Sequence, residues 1–209
     1  MCFHVQQKTT TKELTKRFNA SFEKPVLFNS KETISGFEFP LLPVITNSNV
    51  DMFQFYQWGL IPAWAKEETI RKNTLNARIE TIDQKPSFKN CTTNRCILPI
   101  TGFFEWKWLD SKGKHKEKYH ICSKNHELIA LAGLFEHWTN PKTGQKTPTF
   151  TVLTTEANPL MAEIHNTKQR MPIMLQPNTE KEWLEKGTIN IENDLLATTD
   201  NPTKQLRIF

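Results

Sequence analysis

The chain has 209 residues, a length that suits one domain, or one domain with a small extension, and that is sufficient to bury a hydrophobic core. Apolar residues make up 37% and charged residues 23%, which is an ordinary globular balance, and we expect such a chain to fold without disulfides or metal ions. The net charge of +5 is compatible with a polyanionic partner, but many basic enzymes bind no nucleic acid, so charge alone decides nothing.

The cysteines form no CxxC pair and no Cys/His cluster with zinc spacing, so we expect no metal and no cofactor. The first residues are not followed by the apolar core of a signal peptide, and the longest apolar stretch, Leu128 to Phe135, is too short to span a bilayer. We therefore expect a soluble, cytoplasmic protein with free thiols at four positions, Cys2, Cys91, Cys96 and Cys122.

The first half of the chain predicts one short helix followed by β-structure. Thr10 to Glu13 has capping-box spacing and opens a helix with Leu14 and Phe18 on one face. An irregular strand interrupted by two prolines is expected over Phe37 to Thr46, and a strand over Met52 to Trp58. The polar segment from Lys66 to Lys72 indicates a loop or a short helix.

The second half predicts strands over five segments: Arg95 to Ile100, Gly102 to Leu109, Lys118 to Cys122, Leu128 to Phe135 and Thr149 to Thr155. Turns are expected at Asp110 to Lys114 and, as a hairpin tip, at Asn140 to Gly144. Helices are expected over Glu156 to His165, Glu180 to Lys186 and Ile191 to Leu196. Strands outnumber helices and rarely alternate with them, which favours a single α+β domain over residues 1–209 with a curled, mostly antiparallel, barrel-like sheet.

Cys2 is the first residue with reactive potential. Removal of Met1 would leave an N-terminal cysteine, with an amine of pKa near 8 and a thiol of pKa about 8.5 on adjacent carbons. Such a pair condenses with an aldehyde: the amine forms a Schiff base and the thiol then closes a thiazolidine ring. The alternative is that Cys2 is only a permissive second residue.

Two further segments contain groups suited to nucleic acid. Trp58 to Ala65 places two tryptophans in a loop, where their rings could stack on unpaired bases or close the core. In Thr74 to Thr81, Asn76 and Arg78 could point into a site, since the arginine fork matches phosphate; a solvated Arg78 in a capped helix is the alternative.

Strand alternation from Gly102 to Trp108 places Glu105 on one face with Phe103, and Trp106 on the other. A carboxylate within so much aromatic surface needs a raised pKa or a cationic partner such as an N-terminal amine. The alternative is a carboxylate at the rim, paired with Lys107 or Lys118.

His165 stands at the end of a predicted helix, where it could act as an acid or base near pH 7 or serve only as a C-cap.

Together these segments resemble the SOS response-associated peptidase family. The matching motifs are Met-Cys at the start, Trp58 to Trp64, Asn76 to Thr81, Gly102 to Trp106, and Ile164 to Pro172. Lys85 to Phe88 and Leu131 to Phe135 resemble further family segments. The chain departs from the family at Phe3-His4, where relatives commonly carry Gly-Arg, and in the four residues that separate His165 from Arg170.

The resemblance implies a sensor of abasic sites in single-stranded DNA that forms a thiazolidine crosslink through Cys2. It implies that Glu105 and His165 move protons and that Asn76 orients Cys2. DNA contacts are implied for six residues: His4, Trp64, Arg78, Lys85, Trp106 and Arg170. It also implies removal of Met1 by self-cleavage or by an aminopeptidase, possible cleavage of the lesion strand, and nucleoid association of a bacterial-type monomer.

Two other functions remain open. A peptidase or amidase could use the same cysteine as nucleophile and its amine as base, and it would turn over without DNA. A noncovalent single-strand binder would bind with strong salt dependence even without Cys2.

Overall fold

The computed structural model describes residues 2–125 and 128–200. Within these residues the helices are α1 (Thr11–Phe18), α2 (Pro159–Ile164) and α3 (Glu180–Lys186). The strands, in chain order, are β1 (His4–Gln7), β2 (Ser21–Phe22), β3 (Lys31–Ser35), β4 (Leu41–Thr46), β5 (Asn49–Trp58), β6 (Asn76–Arg78), β7 (Arg95–Ile100), β8 (Gly102–Trp108), β9 (Lys116–Ser123), β10 (Ile129–Thr139), β11 (Lys146–Glu156), β12 (Arg170–Pro172), β13 (Met174–Leu175) and β14 (Leu195–Thr199).

Five of these strands form a closed barrel. Neighbouring strands pair antiparallel in the order β11, β10, β7, β4 and β5. The ring is completed by a parallel pairing between β5 and β11, in which Gln57 lies opposite Thr149. β6 pairs in parallel with β11, which brings Asn76 opposite Val152. The fold is mostly β with few short helices, and the predicted curled, barrel-like sheet is confirmed.

A second sheet has five strands in the order β14, β9, β8, β1 and β3, all antiparallel. Its inner face is buried: Val5, Phe103 and Ile121 have no exposed surface. The outer face holds the alternate residues, and His4 lies opposite Phe104 while Trp106 lies opposite Lys118. The predicted outer face of β8 is seen in its contacts, because Trp106 meets the His4 ring and Trp108 lies under Lys116. Burial itself decreases along the strand, from Phe103 and Phe104 to Lys107 and Trp108.

The two sheets meet in a hydrophobic cluster that contains Cys2, Val5 and Phe103 together with Trp58 and Val152 of the barrel strands. A second cluster covers the other side of the barrel strands and includes Leu14 of α1 and Trp183 of α3. Barrel strands buried on both sides explain the nearly continuous apolar run in β10.

Most local predictions are confirmed. Thr10 caps α1 with the predicted reciprocal bonds to Glu13, and Leu14 is its buried residue. The Asn140–Gly144 segment is the hairpin tip between β10 and β11, closed by the Gly144 N–H on the Asn140 carbonyl. The segment after Lys66 becomes a 3₁₀ helix, and β7 has the predicted bounds.

Some predicted elements differ from the structure in type or in bounds. Ile191 to Leu196 is not a helix: Ile191 forms an isolated bridge with Leu175, and Leu195–Thr199 adds β14 to the edge of β9. The hydrogen bonds available at that edge outweigh a weak helical pattern. The helix predicted from Glu156 begins only at Pro159, because Asn158 caps it. The irregular strand begins at Leu41, after a 3₁₀ turn over Gly36–Glu38.

Candidate active site at Cys2

Cys2 lies two residues before the start of β1 and is fully buried where the two sheets meet. Its carbonyl oxygen accepts a hydrogen bond from Asn76 Nδ2 at 3.0 Å. Asn76 is positioned by the parallel pairing of β6 with β11, so the second sheet is held to the barrel at this residue. Asn76 Oδ1 is buried and has no hydrogen-bond partner within the described residues. The asparagine thus contacts the backbone of the residue that it is predicted to orient.

Glu105 is 7% exposed and lies on the inner face of β8, the strand that pairs with β1. Burial raises the pKa of the Cys2 thiol, and the negative charge of Glu105 raises it further. The alternative of a rim carboxylate is wrong: Lys107 instead binds Glu163 at 2.6 Å, and Lys118 lies over the Phe104 ring. The acid is buried within electrostatic reach of the cysteine.

His165 is the C-cap of α2 and is 6% exposed, so the C-cap role and the buried position occur together. Its Nδ1 lies 2.9 Å from the Arg170 carbonyl oxygen and 3.1 Å from the Arg170 nitrogen. Burial lowers the pKa of His165, against the opposing charge of Glu105. The ring is therefore neutral near pH 7, and Glu105 interacts with it as well as with Cys2.

α2 is attached to β8 by two contacts that fix His165 relative to Glu105. The Lys107 ammonium binds Glu163 within the helix. The Asn166 side chain accepts the Trp108 N–H at 3.1 Å and donates to the Trp108 carbonyl at 2.8 Å. The segment between His165 and Arg170 thus contains a residue that anchors it to the strand carrying the acid.

Arg170 is 7% exposed and binds Glu80 in a bidentate pair, with distances of 3.0 and 2.7 Å. It also donates to the Thr154 carbonyl at 2.8 Å. Partial burial opposes ionisation of Glu80, but the hydrogen bonds from Arg170 outweigh this effect, and the pKa of the Glu80 carboxyl is lowered. The resemblance implied that the Arg170 guanidinium contacts DNA. In the structure it binds a carboxylate instead, because β12 places this side chain in the interior.

The two tryptophans of the Trp58–Ala65 segment separate. Trp58 is fully buried and donates from Nε1 to the Leu75 carbonyl. Trp64 is 54% exposed and donates to the Pro86 carbonyl at 3.1 Å, which places it beside exposed Lys85. Arg78 is also exposed, two residues beyond Asn76, and is not helical. These three predicted DNA contacts are therefore accessible to solvent.

His4 and Trp106 meet edge to face on the outer face of the second sheet, with ring centroids 4.8 Å apart. Burial lowers the pKa of His4, so the ring is neutral near pH 7. Phe37, which sequence reasoning missed, is 54% exposed, and its ring centroid lies 4.8 Å from that of Phe3 and 6.5 Å from that of His4. A row of aromatic rings next to Cys2 is assembled from three distant segments.

Sequence reasoning also missed Glu80 as the partner of Arg170. Its position two residues after Arg78, within the same motif, was the signal that could have identified it. Cys91, Cys96 and Cys122 are free within the described residues, and burial raises the pKa of each, to about 12 for Cys91. No group of three acidic, histidine or cysteine side chains within residues 2–125 and 128–200 is arranged to bind a metal. None of the described helices is long and apolar enough to cross a membrane.

Comparison with solved structures defines the class of the fold. A crystal structure of a protein from Bacteroides thetaiotaomicron superimposes with a TM-score of 0.86 and 32% identity, covering 96% of this chain and 93% of that chain. A protein from Bordetella bronchiseptica has the same fold with a TM-score of 0.79 at 21% identity, covering 95% and 99% of the two chains. The chain therefore belongs to a class of mostly β proteins whose fold these structures share.

The sequence profile described as SOS response associated peptidase (SRAP) matches residues 1–208, and the chain belongs to that family. It is 43% identical over 163 residues to abasic site processing protein YoqW of Bacillus subtilis, covering 78% of this chain and 69% of that protein. Abasic site processing protein HMCES of Gallus gallus is 31% identical over 153 residues, covering 62% of this chain and 44% of that protein. The predicted family is confirmed.

Proposed function

We propose that this protein binds single-stranded DNA and bonds covalently to a ring-opened abasic site through Cys2, after removal of Met1. The observation that supports this most directly is the buried carboxylate of Glu105, whose charge acts on both the Cys2 thiol and His165. Relatives named abasic site processing proteins support the choice of lesion. Met1 itself lies outside the described residues.

The reaction is a condensation. The Cys2 amine adds to the lesion aldehyde, and loss of one water molecule gives a Schiff base. The thiol sulfur then adds to the imine carbon while the thiol proton passes to nitrogen, which closes the thiazolidine ring. The sum is one aldehyde and one aminothiol to one thiazolidine and one water, with no oxidation or reduction.

Glu105 supplies the proton transfers in this proposal. Ammonium must lose a proton before it attacks, and the departing hydroxyl of the first adduct must gain one. A carboxylate buried beside Cys2 serves both steps, since its interactions are stronger where water is excluded. Asn76 holds the Cys2 carbonyl so that the amine and thiol keep one orientation.

His165 is the second group placed to move a proton. When Nδ1 accepts the Arg170 N–H, the single proton of the neutral ring is on Nε2, and that proton would pass to the deoxyribose ring oxygen. A neutral imidazole near pH 7 is suited to this role. Arg170 contributes by holding the loop and Glu80, and a phosphate contact by Arg170 is not part of the proposal.

Unpaired DNA is favoured over duplex because the exposed groups suit bases that are free to stack. Trp64 and the row formed by Phe37, His4 and Trp106 offer rings to bases. Arg78 and Lys85 offer cations to phosphates. A duplex would hide the lesion behind pairing and stacking.

The test mixes purified protein with a single-stranded oligonucleotide carrying one abasic site and resolves the products on a denaturing gel. Intact-mass analysis first confirms that Met1 is absent. A shifted band is expected for the wild type and should be missing for Cys2→Ala and for protein that retains Met1. Absence of the wild-type band, with the lesion and the free N-terminus verified, would refute the proposal.

A second candidate function is hydrolysis of a peptide bond by the same groups, including the Met1–Cys2 bond of the chain itself. The family description as a peptidase and the grouping of Cys2, Glu105 and His165 favour it. Repeated release of a peptide product without DNA would separate it from the crosslinking reaction. Time-dependent removal of Met1 that is blocked in Glu105→Gln would support self-cleavage.

A further inference from the structure

The hairpin that joins β8 to β9 is the most lysine-rich segment of its length in the chain. Residues 107–118 contain five lysines and two acids, and the difference is more than half of the chain's net charge of +5. Lys112, Lys114, Lys116 and Lys118 occur at every second position. The last two lie on β9, where this spacing puts them on the same face of the sheet.

The two acids in this segment accept hydrogen bonds from groups other than the lysine ammonium groups. Asp110 accepts hydrogen bonds from the N–H groups of Lys112, Lys114 and His115, at 2.9, 3.1 and 2.6 Å. These bonds lower the pKa of Asp110 and fix the turn. Glu117 alternates with its lysine neighbours and accepts from the Tyr119 hydroxyl on the other face. Within the described residues, none of the four lysines forms an ion pair.

The basic turn packs against Trp108. Gly113 has φ +63, and a Cβ there would lie 2.6 Å from two ring carbons of Trp108, so the turn lies directly on the indole. Lys116 Nζ is 4.9 Å from the Trp108 ring centroid, and Lys118 Nζ is 4.0 Å from that of Phe104. The cations are thus held on the sheet surface by aromatic rings.

The basic surface is continuous with the aromatic row beside Cys2. Trp106, which contacts His4, lies opposite Lys118 in the β8–β9 register, and Trp108 lies opposite Lys116. Neighbouring strands lie about 4.8 Å apart, so the lysines begin about one strand spacing from Trp106. A DNA strand held at Cys2 would meet this surface within a short distance.

We propose that the β8–β9 hairpin, residues 107–118, binds the phosphates of the single strand that flanks the lesion. The proposal rests on the proposed function for the position of the lesion, and charge complementarity identifies the occupant as a polyanionic strand. The hairpin would add affinity on one side of the abasic site and would take no part in the covalent step.

The test measures equilibrium binding to a single-stranded oligonucleotide that carries a tetrahydrofuran abasic analogue, which has no aldehyde and cannot crosslink. The variant is Lys112→Gln/Lys114→Gln/Lys116→Gln. The matched control is Lys12→Gln/Lys16→Gln/Lys186→Gln, three lysines on α1 and α3, which changes the net charge by the same amount. Affinity is measured from low to moderate salt, with the analogue placed near either end of the strand.

Removal of one phosphate contact should lower the magnitude of the slope of log affinity against log salt by about 0.7. We therefore expect this slope to fall by roughly 1 to 2 for the hairpin variant, with no comparable change for the control. The effect should appear for only one placement of the analogue. The pair Lys112→Gln/Lys114→Gln, which leaves the Lys116 contact to Trp108 intact, should give an intermediate slope if the fold is unaffected.

Equal slopes for the hairpin variant and its control would overturn this inference. The proposed function is tested separately by crosslinking of the same variants to an aldehyde-bearing strand at saturating concentration. A wild type that crosslinks while the slopes are equal refutes the hairpin alone. A wild type that never crosslinks while the slopes differ refutes the covalent reaction and leaves the hairpin as a phosphate-binding surface.

Discussion

The two faces of the second sheet are built from the same strands and have opposite character. The inner face holds Val5, Phe103 and Glu105, all buried beside Cys2. The outer face holds the partly exposed His4 and Trp106 and the lysines of β9. A charge on the inner face acts strongly on its neighbours because water is excluded, whereas outer rings and cations are available to a ligand. Under the proposed function, we expect substitutions on the inner face to change the reaction and substitutions on the outer face to change binding.

The largest effect is expected for Glu105→Gln on the inner face. The substitution keeps the shape but removes the proton acceptor, and we expect crosslinking to slow about 100-fold, as is common when a general acid or base is removed. The rate is measured on denaturing gels at saturating DNA. Glu185→Gln is the control, since that carboxylate is exposed on α3 and pairs with Lys181. Equal rates for the two variants would contradict the role of Glu105.

Arg170→Met should primarily affect stability. It leaves Glu80 and the Thr154 carbonyl without their shared donor, and removal of a well-buried partner costs about 3 kcal/mol or more. Because Glu80 is 39% exposed, we expect about 2 kcal/mol in the free energy of unfolding, measured with urea. An unchanged stability with weakened DNA binding would instead return Arg170 to the phosphate contact first predicted.

Trp106→Leu tests the outer face. Removal of one stacking ring should weaken binding to the tetrahydrofuran strand by about 1 to 2 kcal/mol, with the crosslinking rate at saturation unchanged. Val26→Ala, at a side chain 90% exposed, is the control for surface substitution. If Trp106→Leu slows the covalent step at saturation, the two faces are not independent.

The pH dependence of stability follows from three histidines. Burial lowers the pKa of His4, His120 and His165, so the unfolded chain binds more protons than the folded chain below the unfolded pKa of about 6.5. Stability from these residues is present above that pH and declines as the pH falls toward their folded pKa values. Urea unfolding at several pH values should show this decline, and His165→Asn should reduce it.

The smallest effect is expected for His4→Arg, which introduces the arginine that the family resemblance leads us to expect at this position. A permanent cation beside Trp106 should add one phosphate contact and raise the salt slope by about 0.7, with modestly tighter binding at low salt. No change in slope would show that the aromatic row at this position excludes phosphate. Salt titration of the tetrahydrofuran complex measures the difference.

Local patterns in the sequence predicted a large part of this structure. The α1 capping box, the strand β7 and the outer face of β8 depend on neighbours a few residues apart, and each is confirmed. The motif set identified the family, whose profile matches the chain. The helix expected over Ile191 to Leu196 failed because its outcome depended on a distant strand edge.

By itself the sequence predicted the curled, mostly antiparallel sheet, the family and the reactive pair that Cys2 would carry after removal of Met1, because these depend on composition, spacing and bond chemistry. Only the tertiary structure decided which polar groups are buried. It separated Trp58 from Trp64 and paired the Arg170 guanidinium with Glu80. It also brought Glu105 within electrostatic reach of both Cys2 and His165, which are distant from it along the chain. Burial and long-range pairing set these outcomes, and neither can be predicted from the residues adjacent in the sequence.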